Sequence, residues 1–298
     1  GNKAHRVILD EAAFIPDSIV DEAITPMLAD YDGHLVKIST PCGRNHFYRD
    51  YLMGLDSANE RYRGFQFPTT DNPHISAAYV EEQRRTKPDR VFRQEYLAEF
   101  LEDAGGVFRG VQDVVRKGSM GSPRGQVYVG IDLAKYDDCT VLAAVDDHGS
   151  QVGFERFNGL TWATQLQRIA RFVSAFPGAV VWVDSTGVGD VVFEQLQRLP
   201  GATWNGYNLT NTSKEQLINN LVLQIENGAV SLADIPEQIS ELQAYQYEIT
   251  PSRNIRMNAP AGLHDDCVIA LALACWGLRN PSGVHFDDIM SLIDQWAG

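Results

Sequence analysis

The chain has 298 residues and a formal net charge of -14 at pH 7, with 44% hydrophobic and 21% charged residues. That is room for two modest domains of ordinary globular composition and excludes a largely disordered chain. The acidic balance excludes a protein that coats nucleic acid over its whole surface, because phosphate binding relies on Lys and Arg displacing counterions, although a local basic groove stays compatible.

Cys42, Cys139, Cys267 and Cys275 form no C-x-x-C pair. Their scatter argues against a zinc site or a dense disulfide framework and fits a reducing cytoplasm. The longest apolar run, Cys267 to Leu278, is too short to span a bilayer, and no secretory signal opens the chain.

In chain order, Arg6 to Asp10 reads as a short strand, buried on both faces, that delivers Asp10 and Glu11 at its end. In nucleotide hydrolases a strand-end Asp holds the magnesium ion on the phosphates while a neighbouring carboxylate orients the attacking water. The same stretch reads equally as a surface strand that ends in two acids. The hydrolase chemistry also needs a loop of the form G-x-x-x-x-G-K-[ST] to cradle the phosphates, and the sequence contains no Gly-Lys dipeptide. Only nine residues precede Asp10, so the chain is expected to begin inside an ATPase-type domain.

The stretch "DSIVDEAITPMLAD" is expected to be helical, "GHLVKIST" a strand, "HFYRDYLMG" a helix, and "KPDRVFRQEYLAEFLED" an amphipathic helix or helix pair. This alternation predicts an α/β domain over 1–104. Glycine, serine and proline crowd 105–125, read as an interdomain connection. A second domain is expected over 126–280, with a tail helix over 281–298.

The second part opens with three apolar runs, "QVYVGIDLA", "CTVLAAVDDHG" and "QVGFERF". "DDHG" is a good hairpin turn, so an antiparallel meander is predicted. Trp162, Leu166, Ile169, Val173 and Phe176 recur at helical spacing. A strand "AVVWVD", a helix after Gly189, a strand near "ATWNGYNL", the helix "SKEQLINNLVLQIENG" and a closing helix after His264 follow.

Asp132 ends the first strand of the meander, Asp184 ends "VVWVD", and Asp265 and Asp266 open the last helix. Each alone reads as a turn former, a strand terminator or a helix N-cap. If the first and fourth strands are neighbours, however, their acids emerge at one sheet edge. Carboxylates so gathered repel and call for hard divalent cations. Two such ions about 4 Å apart can clamp the attacking water and the leaving oxygen of a phosphodiester displacement. The strand and helix order, with an acid at these three places, is the layout of ribonuclease H-like nucleases.

Taken in order, "VILDEAAF", "KISTPCGRNHFYRDY", "TTDNPHIS", "VFRQEYLAEF", "VGIDLAKYDDCTVLAAVD", "VWVDSTGVGD" and "GLHDDCVIALALA" resemble the large terminase subunit of tailed bacteriophages, the motor and nuclease that packages viral DNA. The resemblance implies the C-terminal part of a P-loop-type ATPase domain followed by a ribonuclease H-like nuclease domain, a mixed sheet flanked by helices. It implies Asp10 as the magnesium-associated acid, Glu11 as the catalytic carboxylate, and Ser39 and Thr40 as the motif coupling hydrolysis to movement. Asp132, Asp184 and Asp266 correspond to the nuclease ligands of two Mg2+ or Mn2+ ions, with Asp138 and Asp265 as auxiliary ligands. The adjacent pair leaves the third ligand open, and the resemblance favours Asp266. His264 reads as a helix-start histidine.

Lys214 is a candidate for a phosphate contact, beside the alternative of a solvated helix start. Arg253 and Arg256, in a predicted hairpin, and the basic run "RRTKPDRVFR" are further DNA candidates beside the alternative of solvated faces. The implied partners are double-stranded DNA, a portal protein, a small terminase subunit and further copies of the chain during packaging, in the bacterial host cytoplasm and away from membranes. ATP with magnesium is implied for the full-length protein only. Two rival readings are a junction resolvase of the same nuclease fold, which needs neither "ILDEAAF" nor "STP", and a non-catalytic module that docks on a portal.

Overall fold

Two short parallel strands and a five-stranded mixed sheet organise the chain, seen here in a computed structural model that describes residues 3–101, 106–133, 139–186, 190–249, 255–260 and 264–280. The chain divides into two compact units, Gly1–Gly105 with Glu248–Ile255, and Gly106–Tyr247 with Arg256–Gly298. Asp138, Arg253 and the expected tail helix lie outside the described residues.

In the first unit β1 (Arg6–Leu9) pairs in parallel with β2 (His34–Lys37), Leu9 opposite Lys37. The segment expected to be a helix between them is instead a π-helical turn, Ile19–Ile24, followed by a 3-10 segment, Thr25–Tyr31. The cause is local. Pro26 has no N–H and its ring clashes with the preceding turn, and Thr25 Oγ1 donates to the Val20 carbonyl at 2.9 Å, so the regular ladder is broken from both sides.

Helix α1 (His46–Leu55) starts where Asn45 accepts from the Phe47 and Tyr48 amides at 2.9 and 3.3 Å, a cap of the expected kind. Helix α2 (Ala77–Thr86) is capped by Ser76 and was not anticipated in the sequence. It stops at Lys87, which Pro88 biases away from helical backbone. Of the helix or helix pair expected over 87–103, α3 (Asp89–Glu95) is the part that forms among the described residues, and the backbone turns away through Ala98 at φ 53°. Leu9, Ala12 and Val20 form this unit's small core, with Phe47 and Leu35 against it.

The second unit begins inside the predicted connection. Val107, Phe108 and Val111 are buried in its core. The short helix α4 (Val111–Val114) leads into β3 (Val115–Arg116), which pairs in parallel with a later strand, β9 (Leu232–Ala233). The run from Lys117 to Gly125 is exposed and lacks regular structure.

The main sheet holds β4 (Val127–Asp132), β5 (Thr140–Asp146), β6 (Gln151–Phe157), β7 (Ala179–Asp184) and β8 (Ala202–Tyr207) in the order β6-β5-β4-β7-β8. The first three form the predicted antiparallel meander, and β7 and β8 add in parallel. Parallel neighbours need crossovers. Helix α5 (Trp162–Ser174) connects β6 to β7, and α6 (Asp190–Gln197) connects β7 to β8.

Alternation along the strands sends Val127, Val129 and Ile131 to the face that packs Ile169 and Val173 of α5 and Leu196 of α6. The opposite face receives α7 (Asn211–Glu226), α8 (Pro236–Ala244) and α9 (Asp266–Arg279). Helix α9 is buried on nearly every side, as its unbroken apolar sequence requires. Gly130 allows its close approach: a Cβ there would lie 1.9 Å from the Ala270 carbonyl oxygen and 2.4 Å from the Ala274 nitrogen. Among the described residues no helix is long and apolar enough to cross a membrane.

Candidate functional site

Strand register carries two of the acids to one place. Ile131 stands opposite Val183 in the parallel pair of β4 and β7, so Asp132 and Asp184, one residue further on each, leave the same sheet edge. Both share the strand face of Gly130 and Trp182, the face on which α9 lies. Ala270 and Ala274 cover Gly130, and one turn before Ala270 the helix begins at Asp266, which brings a third acid to that edge.

The electrostatics agree with this placement. Burial first, and then Asp184, Asp266 and Asp265 in that order, hold the Asp132 carboxyl well above the ordinary carboxylate range, with Lys214 opposing them. Asp132 and Asp184 keep partial exposure at the sheet end, while Asp266 is buried.

The two adjacent acids at the helix start have different partners. Asp266 Oδ2 accepts from the Cys139 amide at 3.1 Å, whereas Asp265 Oδ2 accepts from Lys214 Nζ at 2.9 Å. Lys214 also donates to Asn258 Oδ1 at 3.1 Å. Its ammonium is half-buried in an ion pair rather than held in solvent, which corrects the solvated-helix-start alternative. His264 is exposed just before this helix, and Arg256 is exposed on the strand Ile255–Asn258.

Four carboxylates with one ammonium form a hard, oxygen-rich and electrostatically undersatisfied set, which suits a divalent cation of the magnesium type. Among the described residues no group of three or more His, Cys, Asp or Glu is arranged to hold a metal as it stands. Ligation by Asp265 would require Lys214 to release it.

Sequence reasoning missed a second layer behind the acids. Glu241 Oε2 on α8 accepts from the Cys267 amide at 2.8 Å, and Arg156 Nη2 on β6 lies 3.7 Å from Glu241 Oε1. A buried-face acid within "EQISELQ" was the only available signal.

In the first unit, Asp10 and Glu11 follow β1, and Ser39 and Thr40 follow β2 at the same end of the strand pair. Ser39 Oγ donates to Glu11 Oε2 at 3.3 Å, and the Glu11 amide donates to Asp10 Oδ1 at 3.0 Å. Glu11 takes left-handed backbone, φ 51° and ψ 40°, a conformation that costs a non-glycine residue about 1–3 kcal/mol and clusters at functional sites.

A cavity of about 860 Å³ in this unit includes Ser39, Lys37 and His46 in its lining but neither Asp10 nor Glu11. The basic run "RRTKPDRVFR" is largely engaged in local contacts. Arg84 lies over the Phe92 ring and near Glu81, Arg93 binds Glu99, and Arg90 is buried.

Residues 1–112 match the family model described as terminase large subunit, T4likevirus-type, N-terminal. The large terminase subunit of Thermus virus P23-45 is 34% identical over 94% of this chain and 63% of its own length, and that of Thermus phage G20c has the same identity and coverage. The chain thus spans about three fifths of these curated relatives.

The crystal structure of the large terminase nuclease from phage G20c with bound magnesium is 31% identical, covers 58% of this chain and 97% of its own, and superposes with a TM-score of 0.53. A large terminase from another thermophilic bacteriophage shares the fold over 92% of this chain and 70% of its own at 18% identity, with a TM-score of 0.56. With the family model over the first unit, curated relatives over nearly the whole chain and a nuclease-domain likeness, the chain belongs to the family of bacteriophage large terminase subunits.

Proposed function

We propose that the second unit, which begins at Gly106, holds over residues 126–280 a metal-dependent endonuclease that cuts double-stranded DNA for packaging, that residues 1–104 are the C-terminal part of the ATPase domain, that 117–125 is an exposed link ahead of β4, and that 281–298 is a tail. The observation that carries the reading is the electrostatic convergence of Asp184, Asp266 and Asp265 on Asp132 at one sheet edge. Magnesium or manganese bound there would polarise the phosphodiester and lower the pKa of the attacking water. The magnesium- and cobalt-bound nuclease structures of the G20c relative support that choice of group.

The chain's own residues have separable tasks. Asp132 and Asp184 offer oxygen ligands from neighbouring strand ends, so their separation is fixed by backbone pairing rather than by loops. Asp266 is oriented by the Cys139 amide and completes the ligand set from the helix. Asp138 and Asp265 are auxiliary ligands. Lys214 offsets part of the carboxylate repulsion while paired with Asp265, and it becomes available to a DNA phosphate once that pair opens. Arg253 and Arg256 add backbone contacts of the kind that position DNA without reading its sequence.

In the first unit Asp10 and Glu11 serve ATP–magnesium hydrolysis in the full-length protein. Ser39, hydrogen-bonded to Glu11, and Thr40 link that site to β2 and thence to movement. The portal, the small terminase subunit and further copies of the chain are the proposed partners in the host cytoplasm.

Incubation of supercoiled plasmid with the chain and either metal tests the nuclease reading. Nicking that EDTA abolishes supports it, and intact plasmid at millimolar magnesium and manganese favours the module that only docks on a portal.

A further inference from the structure

An aspartate at a helix start ordinarily folds back to accept from its own first-turn amides. Asp265 is the N-cap residue of α9 yet makes no such side-chain bond. Its carboxylate binds Lys214, and the Asp266 carboxylate binds the Cys139 amide. The Cys267 amide, one of the donors a helix start leaves unsatisfied, is instead taken by Glu241 Oε2 from α8 at 2.8 Å. Glu241 is nearly buried, and Arg156 faces its second oxygen at 3.7 Å. Arg156 Nε is itself buried without a hydrogen-bond partner among the described residues, and the pair sits in a place where a lone carboxylate would be expensive.

We infer that Glu241, backed by Arg156, is a positioning residue that caps α9 in trans and thereby lets the Asp265 and Asp266 carboxylates face Asp132. The inference rests on the nuclease reading for its purpose but not for its geometry. Removing Glu241 leaves the Cys267 amide without an acceptor, and the nearest replacement is Asp265, which would leave Lys214 and turn away from the acidic cluster. Glu241→Gln keeps an oxygen for the amide, whereas Glu241→Ala does not.

The test uses the whole chain. In metal-free protein, amide hydrogen exchange at Cys267 should accelerate roughly tenfold or more in Glu241→Ala and stay near the parent in Glu241→Gln, as expected for loss of one charge-assisted bond. The manganese concentration giving half of the metal-induced rise in Tm should increase roughly tenfold in Glu241→Ala and only slightly in Glu241→Gln. Ile239→Ala, a core change on the same helix, should lower Tm without moving that manganese midpoint.

Should Glu241→Ala fail to fold, Glu241→Asp, one methylene too short for the 2.8 Å contact, makes the same comparison. Unchanged Cys267 exchange and an unchanged manganese midpoint in the alanine or aspartate variant overturn the inference. Asp132→Asn, run alongside, separates the two claims. If it binds manganese and cuts plasmid as the parent does, the assignment of the metal and cutting site to Asp132 fails whatever Glu241 does.

Discussion

Two aspartates of the same sheet are held in opposite charge preferences by what surrounds them. Asp146, fully buried at the end of β5, accepts from the His148 and Ser150 amides at 3.0 and 2.9 Å and from the Arg124 amide at 3.1 Å. Burial alone would raise its pKa, but these donors and the Arg124 charge bring it below the ordinary range. Its contribution to stability is therefore present above the unfolded-state pKa and lost as the pH falls through the lower folded value. Asp146→Ala should cost about 1–3 kcal/mol at pH 7 by urea denaturation, and the deficit should shrink below about pH 4.

Asp132 has the reverse sign. Its raised pKa means that it favours the fold most below the unfolded-state value and loses that contribution as the pH rises through the folded one. Metal-free Asp132→Asn should thus melt at or above the parent temperature at pH 7, with the difference narrowing toward pH 4, read by calorimetry across that range. The strand-end acids were legible in the sequence because position within a pattern marks them. Glu241 and the Lys214–Asp265 pair were not, because each depends on which helix packs beside which, and that is a property of the assembled sheet.

At the level of elements, the contact of α9 with β4 determines whether the acids meet. A Cβ at position 130 would overlap the α9 backbone, which cannot shift as a flexible side chain can. Gly130→Ala should therefore destabilise the chain by about 1–3 kcal/mol in urea melts and weaken metal-dependent cutting by more than the lost folded fraction, because the helix that carries Asp266 is displaced. Cutting reduced only in proportion to the folded fraction would contradict this.

The meander and the helix from Trp162 could be read in advance since alternation and helical spacing are local. The failures have local causes as well. Pro26 and Thr25 convert an amphipathic pattern into π and 3-10 turns, and the left-handed Ala98 lies within the predicted helix or helix pair, past the end of α3. The pairing of β3 with β9 joins residues more than a hundred positions apart, Val115 to Leu232, and two-residue strands leave no pattern to find.

For the whole molecule, the exposed, irregular run from Lys117 to Gly125 is the expected site of first proteolytic cutting. Because Val107, Phe108 and Val111 are part of the second unit's core, the two products should co-elute on gel filtration and separate only in denaturant. Immediate separation would mean that the segment before the cut contributes little to that core.

The central claim is that Asp132 and Asp184 are metal-ligating acids of a nuclease, and the most direct measurement is plasmid nicking against manganese concentration for the parent, Asp132→Asn and Asp184→Asn, with melting curves for each. Both variants should stay folded, melt no lower than the metal-free parent at pH 7 and lose cutting by several orders of magnitude. Cutting at the parent rate by either folded variant, or loss of cutting explained by unfolding, would contradict it.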